Sequence, residues 1–276
     1  MLHHTENDTT VRFGQSVATV IADTVNSEGK RITTLELVYP RYIHSELMTH
    51  RVFSRNASSS RATPLKVTLD EVRNDPVFFD YVGKNQSGMV AGEELTEGER
   101  LDFQSDWEAL GKLVANHVEY LNKRYNIHKQ TLNRALEPWL RIRTLVTATE
   151  WDNFFKLRLA PDAQPEIQKL AVAMKDAMGK SIPEEANFHS PYVKHSFPVT
   201  CKDEWEVDAK VSAARCARVS YGKLDGTETS VNDDLALAER LLESGHLSPF
   251  EHIAFGAYGT YANFNGWQSY RKWLGK

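Results

Sequence analysis

The chain has 276 residues, of which 41% are hydrophobic and 25% charged, with a formal net charge of -4; this is the composition of an ordinary globular protein, long enough to bury a sizeable core. The acidic balance excludes a global basic field of the kind that gathers nucleic acid, so any anion site must be local. No run approaches the ~18 apolar residues of a membrane span, and the polar start MLHHTENDTT lacks the apolar centre of a signal peptide, which gives the expectation of a cytoplasmic protein without membrane or nucleic-acid partners.

Residues 11 to 39 carry strand patterns, with Val17, Thr19 and Ile21 alternating and ITTLELVY (32 to 39) alternating again. Asn26 to Gly29 is the turn that makes them an antiparallel pair. Pro40 can open a helix with an apolar face of Ile43, Leu47 and Met48, which would deliver Glu46, His50 and Arg51 to its end.

The stretch that follows is the most informative in the chain. Glu46 to Arg61, ELMTHRVFSRNASSSR, holds three arginines, a histidine, an asparagine and five Ser or Thr hydroxyls in sixteen residues, with one acid and no lysine or glycine. Arginine grips a phosphate bidentately, and small hydroxyls with free backbone N–H groups complete such a shell. It reads as an anion cradle on a loop leaving the helix; the bland alternative is a polar loop with surface arginines.

From Leu65 to Arg100 the pattern is irregular, with one short helix at Leu69 to Arg73, and reads as a surface excursion, a lid or an insertion. Residues 103 to 125 place Trp107, Leu110, Val114, Val118 and Leu121 at helical spacing. His117 on that helix reads as a packed histidine rather than a ligand. In TEWDNFFKLRL (149 to 159), Thr149 and Asp152 form a capping-box pattern, and Arg158 falls on an apolar stripe with Trp151, Phe154 and Phe155. A guanidinium there must meet an anion, a carbonyl or water, so a ligand and a structural salt bridge are both open. A second helix follows from Asp162 as N-cap through Ile167, Leu170, Ala171, Met174 and Met178.

Glu184 to Glu206 reads as a connector, and VSAARCARVSY as a short helix followed by a turn. SVNDDLALAERLLESGH is a helix capped by Ser230 with Asp233 and stopped at Gly245. HLSPFEH (246 to 252) packs two histidines, a serine and a glutamate around Pro249 and Phe250; its Glu251 and His252 could merely cap and pair within a turn. IAFGAYGTYANF resembles a strand, and Trp267 and Trp273 in the tail read as packing residues. Cys201 and Cys216 are too few for a disulfide framework and lack CxxC spacing, so inert thiols are expected and no metal site. There is no internal repeat.

THRVFSRNASSSR (49 to 61) resembles the signature of the flavin-dependent thymidylate synthases, with His50, Arg51, Ser54, Asn56, Ser59 and Arg61 in register. NFFKLRLAPDAQPEIQKLA (153 to 171) resembles a second block of that family, and ARCARVSY with GHLSPFEHIAF (214 to 221, 245 to 255) a third. In the family the third block precedes the signature, whereas here it follows, so the order reads as circularly permuted, which packing tolerates when the old ends lie close.

The resemblance implies an α+β fold, an antiparallel sheet packed with long helices, in one catalytic domain over 1–276. Its parts would be strands, helix and signature loop at 11–64, an irregular insertion at 65–102, a helical part at 103–182 and the permuted block at 207–276. It implies a homotetramer with sites between subunits. Ser58, Ser59, Ser60 and Arg61 with Arg134 in NRALEP would hold the phosphate of a pyrimidine deoxynucleotide monophosphate, and Glu46 would line its pocket. Arg158 would face the base and stabilise negative charge as N3 loses its proton. Thr49, His50, Arg51, Asn56, Thr147, Thr149, Asn153 and Ser248 would contact FAD, with His246 beside the flavin ring as a second catalytic residue.

The implied reaction moves a one-carbon unit from methylenetetrahydrofolate to C5 of dUMP, with hydride from FAD recharged by NADPH and no cysteine nucleophile. Departures are informative: Thr49 replaces an arginine, Glu46 a glutamine, Ala57 an acid, Ala62 a tyrosine, and TAT (147 to 149) an N-A-R element. Arg55, Arg141 and Arg143 are the candidates to replace the lost cations. Glu46 accepts only, where an amide both donates and accepts, which opens dCMP or another pyrimidine; a transferred hydroxymethyl group is a further alternative, and the lost arginines leave a non-catalytic nucleotide-binding relative open.

Overall fold

The computed structural model describes residues 9–193, 202–221 and 229–275. Cys201, the polar start at 1–8, residues 194–201 of the expected connector and the turn expected after the ARCARVSY helix lie outside the described residues.

The early strands form as their alternation predicts: β1 (Thr10–Phe13), β2 (Ser16–Val25) and β3 (Arg31–Pro40) are successive antiparallel neighbours. The turn between β2 and β3 is held by Asn26, whose Oδ1 accepts from the backbone N–H of Glu28 and Lys30, while Gly29 sits at φ +72° where a side chain would be strained. The segment expected as the cradle loop contains a strand instead. β4 (Ser54–Ala57) pairs antiparallel with β5 (Arg141–Ala148), and the sheet order is β1-β2-β3-β5-β4, with the short β6 (Glu184–Glu185) running parallel to β2 inside the expected connector.

Strand geometry sends successive side chains to opposite faces, and β3 shows what each face is for. Leu35, Leu37 and Tyr39 are buried in one apolar cluster, and Ile32, Thr34 and Glu36 turn the other way. The apolar face is covered by α6 (Pro165–Lys180), through Ile167, Leu170, Ala171 and Met174 against Ala18, Val20 and Val146. Truncating one such buried Leu to Ala costs about 2–5 kcal/mol. The cap of α6 is Gln164, whose side chain accepts from Ile167 N at 3.0 Å, and not Asp162, because Pro165 at the first turn moves the start downstream.

The excursion after residue 64 is integral to the fold. After α1 (His44–Met48), in which Leu47 is buried but Met48 exposed, α2 spans Leu65–Asn74, longer than expected. It packs Leu69 and Val72 against α3 (Glu97–Tyr125), α4 (Lys129–Leu132) and Trp139. The 29-residue α3 starts before residue 103 because Thr96 and Glu99 close a reciprocal capping box. Its Val118 is buried while Leu110 and His117 are exposed, the His117 ring lying 5.7 Å from that of Tyr120 rather than in the core. α5 (Asp152–Arg158) has no side-chain cap; Thr149 is drawn away to accept from Asn265 N at 2.9 Å.

The polar face of the sheet is covered by the C-terminal block. α7 (Lys202–Tyr221) is a 20-residue helix rather than a short one, and α8 (Val231–Glu243) is capped by Ser230 as predicted. A second sheet joins β7 (Phe188–His189), β8 (Ala254–Tyr261) and β9 (Phe264–Ser269), and α9 (Tyr270–Trp273) ends the described chain. Trp267 is fully buried in this chain against Ile32, with Nε1 donating to Lys30 O, whereas Trp273 is partly exposed. Cys216, on α7, is buried against Leu145 and Val219, and burial pushes its thiol far above the range of a reactive cysteine. No helix of the described residues is long and apolar enough to cross a membrane.

Where the block meets the sheet, polar groups pair in series. Thr24 Oγ1 lies 2.8 Å from His189 Nδ1, His189 Nε2 2.8 Å from Thr34 Oγ1, Thr34 Oγ1 2.7 Å from Thr147 Oγ1, and Thr147 Oγ1 2.8 Å from His252 Nδ1. His252 Nε2 is buried without a hydrogen bond. An unmet lone pair costs less there than an unmet N–H. His252 therefore donates from Nδ1, and the hydroxyls pass the polarity on to His189.

Both histidines are neutral. Burial pushes His189 down to about 3, and burial followed by His189 pushes His252 down to about 3. A depressed folded-state pKa means that the unfolded chain binds more protons below pH 6.5, so stability present above that pH is lost as pH falls toward 3, on the order of 4 kcal/mol per histidine. Urea midpoints measured from pH 7 to pH 4 should fall steeply for the native chain and less steeply for His189→Gln; equal slopes would remove His189 from this account.

Candidate functional site

α1 ends where Thr49, His50 and Arg51 begin, and α5 ends on Arg158, so two helix ends meet. Arg158 donates from Nε to His50 Nε2 at 2.9 Å, and from Nη2 to Thr49 Oγ1 at 3.1 Å and Glu46 O at 3.3 Å. Its Nη1 lies 3.6 Å from Glu46 Oε2. The guanidinium on the apolar stripe thus finds a carboxylate inside the chain. Because Nε donates to it, His50 Nε2 must be unprotonated, and burial, then Arg158 and Arg55, pushes His50 down to about 4. Burial raises Glu46 against the lowering effect of Arg158. His50 also packs edge-on to Phe154, with ring centroids 4.9 Å apart.

The serine run continues the edge of β4. Ser58 N donates to Arg143 O at 2.8 Å and Ser58 Oγ accepts from Arg143 N at 3.1 Å, which prolongs the pairing with β5. Ser60 is buried and donates from Oγ to Glu137 Oε1 at 2.7 Å, the same oxygen that receives Arg134 Nη1 at 2.9 Å. Asn133 Nδ2 donates to Ser60 O at 2.7 Å and to Thr63 O at 3.0 Å, which pins the turn. Ser59 Oγ accepts from Arg61 N at 3.3 Å, and the Arg61 side chain is exposed. Through Glu137 the structure brings Ser60 together with Arg134, on a turn that also carries Ser58, Ser59 and Arg61.

Sequence reasoning missed two members of this group, Arg41 and Glu137. Arg41 Nε stands 3.6 Å from Glu137 Oε1 and Nη2 reaches Ser58 O at 3.5 Å. The cations expected as replacements are committed elsewhere. Arg55 Nη1 donates to Met48 O at 2.8 Å and His50 O at 3.0 Å, Arg141 holds Asp75 at 3.0 Å and Gln15 at 2.9 Å, and Arg143 lies 3.6 Å from Glu36.

The late block converges on the signature strand. The 3-10 turn Ser248–Glu251 packs beside β4. Asn56 Nδ2 donates to Cys216 O at 2.8 Å, Ser220 Oγ donates to Ala57 O at 2.7 Å, and Asn263 Nδ2 donates to Val52 O and Ser54 Oγ, both at 3.0 Å. Asn56 therefore joins the block to β4 and its side chain is not free for a cofactor. Thr147 is buried with its hydroxyl between Thr34 and His252, so it too faces no solvent-open cleft. His246 is exposed beyond α8, its Nδ1 2.9 Å from Ser244 Oγ, and no contact among the described residues ties it to His50 or Arg158. His252 and Glu251 go to different partners, Thr147 and Arg271, rather than to each other. Arg51, Asn153 and Ser248 are exposed, and no hydrogen bond or ion pair among the described residues engages their side chains. Among the described residues no group of three or more His, Cys, Asp or Glu is placed to hold a metal ion.

The model of the family described as thymidylate synthase complementing protein matches residues 31–184. That span holds the signature, β5, Arg134 and Arg158, and it ends before the ARCARVSY and GHLSPFEH segments. Among solved structures, the UMP/dUMP methylase PolB from Streptomyces cacaoi bound with 5-Br UMP is similar at 13% identity and a TM-score of 0.48, over 60% of this chain and 89% of that one. Thymidylate synthase X from Helicobacter pylori with FAD and dUMP is similar at 21% identity and a TM-score of 0.37, over 54% of this chain and 69% of that one. These are loose superpositions. No curated protein sequence matches the chain.

The bond from Arg158 to His50 makes a measurable claim. Arg158→Ala removes both a charge and a donor that require the neutral ring, so His50 should rise from about 4 by roughly one unit. Histidine titration followed by NMR reports this directly; an unmoved His50 would mean that burial and Arg55 set it without Arg158.

Proposed function

The chain belongs to the thymidylate synthase complementing protein family, and from that premise we propose that it is a flavin-dependent methyltransferase acting at C5 of a pyrimidine deoxynucleotide monophosphate, converting dUMP to dTMP. The observation that carries the reading is the meeting of Arg158 with Glu46, Thr49 and His50 at the head of the signature. A base stacked over this point gains a cation that stabilises negative charge on its ring when N3 loses its proton, and such preorganised charge is the usual source of transition-state stabilisation. Ser58, Ser59, Ser60, Arg61 and Arg134 then hold the phosphate, so one monophosphate would span from the serine turn toward Arg158.

The residues suit FAD. Arg51, Asn153 and Ser248 are exposed and offer a cation and small polar groups that no bond among the described residues consumes. His50, as a neutral ring, and Thr49 border the same edge, Thr149 keeps its hydroxyl hydrogen after accepting from Asn265 N, and His246 stands exposed for the flavin ring. A bound flavin supplies hydride for reducing the one-carbon unit delivered by methylenetetrahydrofolate, with NADPH as its reductant. The buried, high-pKa Cys216 suits a route without a thiol nucleophile. The function is exercised in the cytoplasm by a homotetramer whose subunits close the sites, with the late block serving as the family's early one in permuted order.

The carboxylate of Glu46 beside Arg158 favours a second reading, a 4-aminopyrimidine such as dCMP, because that oxygen can accept from an exocyclic amine. Purified protein mixed with FAD, NADPH, methylenetetrahydrofolate and either dUMP or dCMP, with products identified by mass, decides between them and between methyl and hydroxymethyl. Arg158→Ala should lower turnover by about 100-fold or more while flavin, read by its absorbance, stays bound. Protein that binds neither flavin nor nucleotide would refute the proposal.

A further inference from the structure

We propose that Arg41 is a phosphate-binding residue of this site and that Glu137 is an internal stand-in for the phosphate, which the incoming phosphoryl group displaces. The inference rests on the nucleotide reading above for its ligand, and on geometry for its residues.

Three donor groups converge on one carboxylate oxygen. Glu137 Oε1 receives Ser60 Oγ at 2.7 Å and Arg134 Nη1 at 2.9 Å, and Arg41 Nε stands off at 3.6 Å, beyond hydrogen-bond reach. A hydroxyl and two guanidinium groups around a single anionic oxygen is the arrangement that a phosphoryl oxygen takes. Arg41 is the member that the carboxylate fails to satisfy. Its Nε is buried and makes no hydrogen bond, and its other reach, Nη2 to Ser58 O, is stretched to 3.5 Å. A buried cationic N–H without a partner is costly, so the pocket is better matched to an anion broader than one carboxylate edge.

The electrostatics agree. Burial lowers the Arg41 pKa below its ordinary value, Glu137 opposes this, and Arg134 adds to it, as expected of a guanidinium whose counter-charge is incomplete. Arg55, Arg141 and Arg143 are held by other partners, so Arg41 is the further cation beside the serine turn. Arg41 follows Pro40 at the end of β3, and its backbone N–H donates to Leu140 O at 2.9 Å, so a rigid strand end aims the side chain under the serine turn.

The test is calorimetric titration of the FAD-loaded full chain with dUMP, 2′-deoxyuridine and inorganic phosphate, for the native protein, Arg41→Lys, Arg41→Gln and Glu137→Gln. The native protein should favour the nucleotide over the nucleoside. Arg41→Gln should cut that preference by roughly 10- to 100-fold, the effect of one charge-assisted contact. Arg41→Lys should restore part of it, because a point charge replaces a fork. Glu137→Gln should bind dUMP and phosphate several-fold more tightly and leave deoxyuridine unchanged. A nucleotide-to-nucleoside ratio untouched in both Arg41 variants, or weaker dUMP and phosphate binding in Glu137→Gln, overturns the proposal. Should Arg41→Gln fail to fold, Arg41→Lys and Glu137→Gln still decide it. Phosphate responses as predicted without nucleotide binding would sink the nucleotide reading and leave the anion site standing.

Discussion

The hydrogen bond between Thr147 and His252 is the junction on which the rest depends. β5 sits between β3 and β4, so one of its faces must be covered where it carries a threonine rather than an aliphatic residue. Burying a hydroxyl without a partner costs a few kcal/mol at most sites, about 1–3 in protein contexts. The C-terminal block removes that cost by bringing His252, and through Thr34 and His189 the cost is removed again along the sheet. The pairing is specific as well as stabilising, since a shift of the block by one residue would take both imidazoles from their partners and leave Thr24 unmatched, with Thr34 and Thr147 bonded only to each other. From that register follow the seat of the turn Ser248–Glu251 beside β4 and the grip of Asn56 on α7.

A second regularity runs through the site. Each cluster of cations near the signature has an internal carboxylate, Glu46 for Arg158 and Glu137 for Arg134. Neither carboxylate is fully buried, and neither pair has the geometry of a closed bidentate fork. Partly exposed pairs of this kind contribute little to stability, about 0–1 kcal/mol. Their value is in keeping the arginines ordered, and in setting the charge that a ligand must offer to replace them. Neutral His50 belongs to the same arrangement, because only an unprotonated Nε2 can accept from Arg158.

Much of this was legible before the fold was known. The alternation of β2 and β3 and the apolar spacing of α6 survive intact because each is a local pattern with one buried face. The signature was legible as chemistry, and Arg158 as a misplaced charge. What sequence could not show was set by distant partners. β4 is four polar-flanked residues whose strand character exists only beside β5, and β9 contains Gly266 and small polar residues that carry no periodicity. Thr149 looks like a helix cap until Asn265, far along the chain, takes its oxygen. Arg41 stands outside the signature and Glu137 beside Arg134 in NRALEP without a role of its own there, and their place around Ser60 follows from tertiary packing.

The most direct measurement of the central claim is a double-mutant cycle at the junction, with Thr147→Val and His252→Phe made singly and together and unfolded in urea at pH 7. The two residues are 105 positions apart in sequence and joined by one bond of 2.8 Å. If that bond seats the C-terminal block on the sheet, the single changes cost more than their combination implies, with a coupling of about 1 kcal/mol or more. Additive costs, equal within about 0.5 kcal/mol, would contradict it.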